Sequence, residues 1–327
     1  MKKVVVVGAA VIDVLLKSGG LKVIKGHEVP GGVAMCEVVG GKLEAEESMV
    51  SSGGGGTNVA VGLRRLGMAV KMVSRIGGDD LGEVMVKLLE KEGLDLSMLQ
   101  KGTEKTGLSV VLVAPNGARS IVTYRGESEM INSKTVDWDE IRKADWVQIS
   151  SLGGEIQLLE DFVSFAVANG IKVGINPGRK ELEKKERLLK LVPKVDFFNV
   201  NKKEASVLLG EEFEDEGKII KKLLDLGART LAITDGKRGA SLVVNRRWLK
   251  MKALQISGVD DTGAGDAFVC GVVAGILQYK NPEEILKMGL VNGGSQVTKL
   301  GAKEGLLYKE EMEKWMKKKI EMVEEII

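Results

Sequence analysis

The apolar run Val4–Val7 follows a charged start with no polar interruption. That is the pattern of a strand buried on both faces, and it predicts a first β-strand over residues 3–8. From residue 144 onward the apolar positions alternate between short runs and helical spacing. Strands are predicted over residues 146–150, 171–176, 197–200 and 230–234, with helices between them at residues 158–168 and 218–226. Regular alternation of this kind implies a mostly parallel sheet covered by helices on both faces. Earlier, the Gly-rich turn Ser51–Gly56 opens a helix through Asn58, Val61 and Leu66 that Gly67 closes. A strand over residues 69–76 and a helix over residues 81–92 follow. Apolar residues dominate 269–277 and 285–297, two buried helices, and charges lace residues 310–327, which predict an amphipathic final helix.

Two stretches break the rhythm. Residues 14–50 carry valine-rich patches and Gly-Gly pairs without helical period. Residues 108–114 and 120–124 are β-rich and joined by Pro115-Asn116-Gly117, a hairpin turn because Asn-Gly tolerates positive φ. The expected organisation is an α/β core made of residues 1–13, 51–102 and 129–327. Residues 14–50 and 103–128 would form a small inserted β-sheet lid.

Composition then removes whole function classes. The chain has 327 residues, 48 Lys plus Arg against 46 Asp plus Glu, and a net charge of +2. The charges are interspersed, so no basic footprint for nucleic acid exists. Cys36 and Cys270 are too few for a disulfide framework or zinc knuckle, which fits a reducing, cytoplasmic setting. One histidine, His27, excludes Ser-His-Asp hydrolysis and multi-histidine metal sites. Asp13 interrupts the first apolar stretch, arguing against a secretory leader, and no run approaches the roughly 18 apolar residues of a membrane span.

Candidate chemistry concentrates at Asp260-Asp261-Thr262-Gly263-Ala264-Gly265-Asp266, just ahead of an apolar helix. Small residues at 263–265 let main-chain N–H groups converge on an anion, and the helix dipole assists by about 0.3–1 kcal/mol. The same dipole is expected to keep Asp266 ionised and able to accept a proton. An ordinary Gly-rich turn with a capping aspartate is the plain alternative. GxxxxGK[ST], GxSxG and HExxH are absent, and GxGxxG does not follow the first strand, so the common nucleotide and hydrolase motifs do not apply.

These residues resemble the ribokinase, or phosphofructokinase-B-type, family of sugar and nucleoside kinases. Asp261–Asp266 resembles its carboxy-terminal signature and Gly53–Ala60 its amino-terminal substrate signature, in the expected order. The resemblance implies a ribokinase-like three-layer αβα sandwich with a mostly parallel central sheet and a small β lid. It implies an ATP-dependent kinase that phosphorylates a primary hydroxymethyl group of a small sugar. A nucleoside kinase on the same fold, or a non-catalytic sugar- or nucleotide-binding protein, are the alternatives.

By the same resemblance Asp266 is the catalytic base, and the amides of Gly263, Ala264 and Gly265 form the anion hole. Asn201 and Glu204 match an NxxE motif, with Glu204 holding Mg²⁺ through water, although a helix-capping pair explains them equally well locally. Thr234 and Gly236 match a nucleotide-binding turn, and Asn292 is placed near the adenine or in the helix core. Asp13, Gly54, Gly55 and Asn58 would hold the substrate, and Arg125 would reach it from the lid or remain solvated. Asp260 and Thr262 match positions near a monovalent-cation (K⁺) site that some members use. Departures are Gly55, where ribokinases carry Lys, and Ser150-Ser151, where they place a substrate-binding Glu. Both point away from ribose. Exposed lid edges suggest a homodimer joined through the lids.

Overall fold

Successive side chains of a strand point to opposite faces, and the first strand uses both. In the computed structural model, which describes residues 1–26 and 32–326, Val4 and Val6 enter one apolar core while Val5 and Val7 enter another. The strand therefore lies at the centre of a three-layer molecule. His27 is outside the described residues.

The chain runs β1 (Lys3–Val7), β2 (Val11–Lys17), β3 (Lys22–Lys25), β4 (Val33–Cys36), β5 (Glu47–Gly53), α1 (Gly55–Arg65), β6 (Ala69–Gly77) and α2 (Asp80–Lys91). Next come β7 (Leu99–Gly102), β8 (Gly107–Val113), β9 (Arg119–Tyr124), α3 (Trp138–Ile141), β10 (Trp146–Ile149), α4 (Ile156–Ala168) and β11 (Lys172–Ile175). After α5 (Arg179–Leu182) and α6 (Lys185–Leu189) follow β12 (Phe197–Asn201), α7 (Lys202–Leu209), α8 (Glu216–Asp225) and β13 (Thr230–Thr234). The last elements are β14 (Ala240–Val244), β15 (Arg247–Met251), α9 (Ala264–Leu277), α10 (Pro282–Gln296), α11 (Lys309–Trp315) and β16 (Met322–Ile326).

Among the described residues the main sheet has ten strands, ordered β16-β15-β14-β13-β12-β11-β10-β1-β6-β7. Pairing is parallel from β7 to β13 and antiparallel from β13 to β16. Helices α1, α2, α9 and α10 cover one face through Val59, Leu63, Met85, Phe268 and Val291. Helices α4, α7 and α8 cover the other through Phe162, Ala205 and Ile220. The three-layer sandwich is the architecture implied by the sequence.

A separate four-stranded sheet, β5-β2-β8-β9, draws strands from both irregular stretches. Its bounds differ from those drawn on sequence. β2 begins at Val11 and β5 extends through Gly53, so Asp13 is a strand residue of the small sheet. The carboxy terminus also differs. The helix expected over residues 310–327 stops at Trp315, and residues 322–326 form β16, antiparallel to β15. Pairing with the open edge of β15 outweighs the amphipathic period, because an unpaired edge offers a full row of backbone partners.

Helices α9 and α10 cross closely because glycines face the contact: a Cβ at Gly271 would fall 2.2 Å from Met288 O. Gly271→Ala is expected to destabilise the protein by about 1–3 kcal/mol in urea unfolding, although alanine is the better helix former by ~1 kcal/mol.

Candidate active site

The Gly-rich run lets the start of α1 press against the β1–β2 turn. Gly54 has φ 90°, and a Cβ there would fall 2.6 Å from Ala9 O; one on Gly56 would fall 2.5 Å from Gly8 C. No other residue fits either position. Thr57 Oγ1 donates to Gly53 O at 2.8 Å and secures this first turn. Asn58 is thereby buried facing α9, where its Nδ2 donates to Asp266 Oδ2 at 2.8 Å.

The other oxygen of Asp266 looks onto Gly55. A Cβ on Gly55 would sit 3.7 Å from Asp266 Oδ1 and 3.3 Å from Ser150 Cβ. The Ser150 hydroxyl is buried without a hydrogen-bond partner among the described residues. Oδ1, Gly55 and Ser150 therefore bound one space above the C-terminal ends of β1 and β10, the edge where parallel α/β sheets bind ligands. Ser151 is spent elsewhere, on Glu181 Oε2 at 3.2 Å.

Helix α9 begins at Gly263 in the left-handed region (φ 74°) with no side chain capping it. A Cβ on Gly263 would collide with Ala302 O at 2.3 Å, whereas one on Gly265 would meet nothing within 4 Å. The helix start thus opens onto empty space. Among the described residues the amides of Gly263 and Gly265 have no acceptor, but Ala264 N donates to Asp261 O at 3.2 Å. The expected three-amide hole is corrected at Ala264, whose N–H is already engaged.

Burial dominates the electrostatics of Asp266. Its pKa rises to about 6, against the opposing pull of the Asn58 hydrogen bond and the Lys303 charge. The helix dipole's ~0.3–1 kcal/mol is smaller than a shift of this size, roughly 3 kcal/mol, yet a pKa of about 6 leaves the carboxyl mostly ionised at neutral pH.

Asp13 lies in β2 between Ser51 and Ser109, its carboxyl packed against Gly53. Burial raises its pKa; Lys303, the Ser109 hydroxyl and Arg125 act in the opposite direction. Arg125 ends the β9 strand region, 56% exposed, 3.5 Å from Glu129. The turn beyond it is anchored by the buried Glu127, which pairs with Arg75 and accepts Glu104 N at 2.7 Å.

Along the same sheet edge, β12 and β13 place Asn201 directly opposite Thr234. Asn201 and Glu204 form a reciprocal capping pair: Glu204 N donates to Asn201 Oδ1 at 2.8 Å, and Asn201 N to Glu204 Oε2 at 2.9 Å. Burial raises the Glu204 pKa. Gly236, φ 51°, turns into open space.

One expectation is corrected. Asn292 is fully buried, donating to Ala267 O at 2.7 Å and accepting Leu307 N at 3.0 Å, so its amide is committed to the core and not to a base. Asp260 and Thr262, the expected monovalent-cation positions, are engaged with one another, with Gly301 and with Arg119. Asp260 Oδ1 accepts from Thr262 N, from Thr262 Oγ1 and from Arg119, and Oδ2 accepts Gly301 N. Arg119, at the start of β9, also pairs with Asp261, so one guanidinium already balances part of the negative charge of this loop.

Sequence reasoning missed Arg119 and Lys303. Lys303 is buried, its Nζ donating to Thr57 Oγ1 at 3.0 Å and Asn58 Oδ1 at 3.1 Å. The available signal was a lysine in the short run between Gly301-Ala302 and the apolar Leu306-Leu307.

An uncapped helix start that opens at Gly265, with a half-buried carboxylate in its first turn, has the form of an anion-binding helix terminus. Residues 1–308 match the model described as pfkB family carbohydrate kinase, and the chain belongs to that family of phosphotransferases. It is 29% identical over 278 residues to a ribokinase of Haemophilus influenzae, covering 83% of this chain and 89% of that one. Two solved structures share the fold. One is a putative ribokinase II from E. coli in complex with ATP and Mg²⁺ (TM-score 0.80, 20% identity, 97% and 99% of the chains covered). The other is a nucleoside kinase of Methanocaldococcus jannaschii (TM-score 0.75, 20% identity, 97% and 98% covered).

The raised pKa of Asp266 carries a sign for stability. A carboxyl whose folded pKa exceeds its unfolded value stabilises below the unfolded value, near 3.8, and loses that contribution as pH rises through about 6. Asp266→Asn is therefore expected to raise stability at pH 7.5 by up to about 3 kcal/mol in thermal unfolding, with the gap closing toward pH 4.

Proposed function

We propose that this chain transfers the γ-phosphoryl group of ATP to a primary hydroxymethyl group of a small sugar. The observation that carries the reading is the free Asp266 Oδ1 facing Gly55, beside an α9 start that opens at Gly265 onto empty space. Asp13 and the main chain of Gly54 and Gly55 hold the sugar hydroxyls, the partnerless Ser150 hydroxyl adds a neutral contact, and Asn58, expected among the substrate contacts, has its amide engaged by Lys303 and Asp266 and acts on the site through them. Asp266 Oδ1 takes the proton of the attacking hydroxyl as its oxygen bonds to phosphorus and the bond to the ADP oxygen breaks. The amides of Gly263 and Gly265 hold the transferring oxygens, the electrostatic share of such a transfer. Asn201, Thr234 and Gly236 line the nucleotide end of the sheet edge.

Oxygen donors suited to Mg²⁺ stand on the same edge: the Glu204 carboxylate, and Asn199 Oδ1, which is buried without a partner among the described residues. Glu204 would hold the ion through water, and the ion would neutralise phosphate charge when bound. The small sheet closes over the substrate and excludes water, with Arg125 at its rim. Its outer strand β9 exposes Ile121 and Val122, an apolar edge that pairs two copies of the chain through their lids.

Asp266→Asn should lower kcat by roughly 10²–10⁴-fold in coupled ADP release, with the protein still folded. In the wild type, kcat/KM should rise with pH through about 6, since only the ionised carboxylate accepts a proton. Retention of most activity in the variant would contradict the base assignment. Thermal shifts with ribose, fructose, 2-keto-3-deoxygluconate, adenosine, inosine and cytidine decide between sugar and nucleoside; a ligand at 100 Kd adds about 2.7 kcal/mol. Val122→Lys should convert a dimer to a monomer by light scattering.

A further inference from the structure

Lys303 lies between α10 and α11, enclosed by protein, with no water-facing role. Its amine meets Asn58 Oδ1 at 3.1 Å, and the Asn58 Nδ2 meets Asp266 Oδ2 at 2.8 Å. An ammonium only donates and a carboxylate only accepts. Both neighbours therefore demand the same orientation of the Asn58 amide, oxygen toward Lys303 and nitrogen toward Asp266. A flipped amide would set donor against donor and acceptor against acceptor, at a full desolvation penalty on each side. Thr57 Oγ1, 3.0 Å from the amine, fixes its position at the first turn of α1.

We propose that Lys303 is a positioning residue for phosphoryl transfer, acting through Asn58 to hold Asp266 by one oxygen and leave the other for the acceptor hydroxyl. This rests on Asp266 being the base.

The charges around the amine support the assignment. Asp13 from β2, Asp266 from α9, Glu92 beyond α2 and the adjacent Glu304 all favour its charged form. Arg65 of α1, whose Nη1 donates to Lys303 O at 2.8 Å, adds positive charge nearby. Burial nevertheless lowers the Lys303 pKa to about 8. The charged amine is thus present at neutral pH and lost above it. Once neutral it offers a lone pair as well as donors, and its demand on the Asn58 amide relaxes. Lys303 also stands within electrostatic reach of both Asp13 and Asp266, so one buried cation ties the substrate-holding carboxylate to the reacting one.

The test uses the full-length protein and Lys303→Met, which keeps the volume and removes the donors. The expected result is a kcat roughly tenfold or more lower with the KM for ATP unchanged. The acid limb of kcat/KM should move up by about one pH unit, tenfold in the ionised fraction below it. The double variant N58A/K303M should be no slower than N58A alone, because both lesions break one chain of contacts. In the wild type, kcat should fall on the alkaline side near pH 8, a readout that needs no variant to fold. A flat wild-type profile from neutral pH to 9.5 would overturn the inference. So would a folded K303M with unchanged kcat and acid limb, or losses that multiply in the double variant. Activity surviving in D266N defeats the base assignment itself; an inactive D266N beside a wild-type-like K303M defeats only the role of Lys303.

Discussion

The site depends on partly burying a carboxylate without losing its charge at working pH. Burial alone pushes a carboxyl upward by several units; here Asn58 and Lys303 limit the rise to about 6. The result is a carboxylate half of whose hydrogen-bonding capacity is fixed by the protein. The remaining oxygen is presented to a space walled by a glycine and a serine. In the proposed transfer, a base tuned near neutrality would both exist in the right form and bind a proton with useful strength.

Everything that reaches this carboxylate does so through close main-chain approach. Gly54 and Gly56 allow α1 to press on the β1–β2 turn, and Gly263 lets α9 begin against Ala302. Without those contacts Asn58 would not meet Asp266, and α9 would not start uncapped toward the cleft. The small residues here act as spacing devices. The same holds deeper in the protein, where Gly271 and Gly289 let α9 and α10 cross closely enough to share one apolar core.

The small sheet bears on the site in two chemically different ways. Through Asp13 it contributes a carboxylate that Lys303 partly balances. Through Arg119 it reaches the loop that precedes the helix start, pairing with Asp260 and Asp261. An arginine of the small sheet bonded to the loop that leads into α9 couples their relative placement. The loop that sequence resemblance linked to a monovalent cation therefore receives its positive charge from the chain itself.

The sequence alone settled the core strands, the helices between them and the glycine-opened helix start after Asp261, because each is written in local periodicity or in a short motif. Val4–Val7 declares a doubly buried strand wherever it is met, and Gly263–Gly265 declares an open helix start. Tertiary structure decided what depends on partners distant in the chain. Residues 322–326 joined an open sheet edge instead of extending a helix; Asn292 turned to the core; Ala264 gave its amide to Asp261. Lys303 and Asn58 are far apart in sequence, so their contact leaves no local trace. The pKa of Asp266 follows from that burial and those partners, since a side chain's charge depends on the medium around it, and only the folded chain supplies the medium.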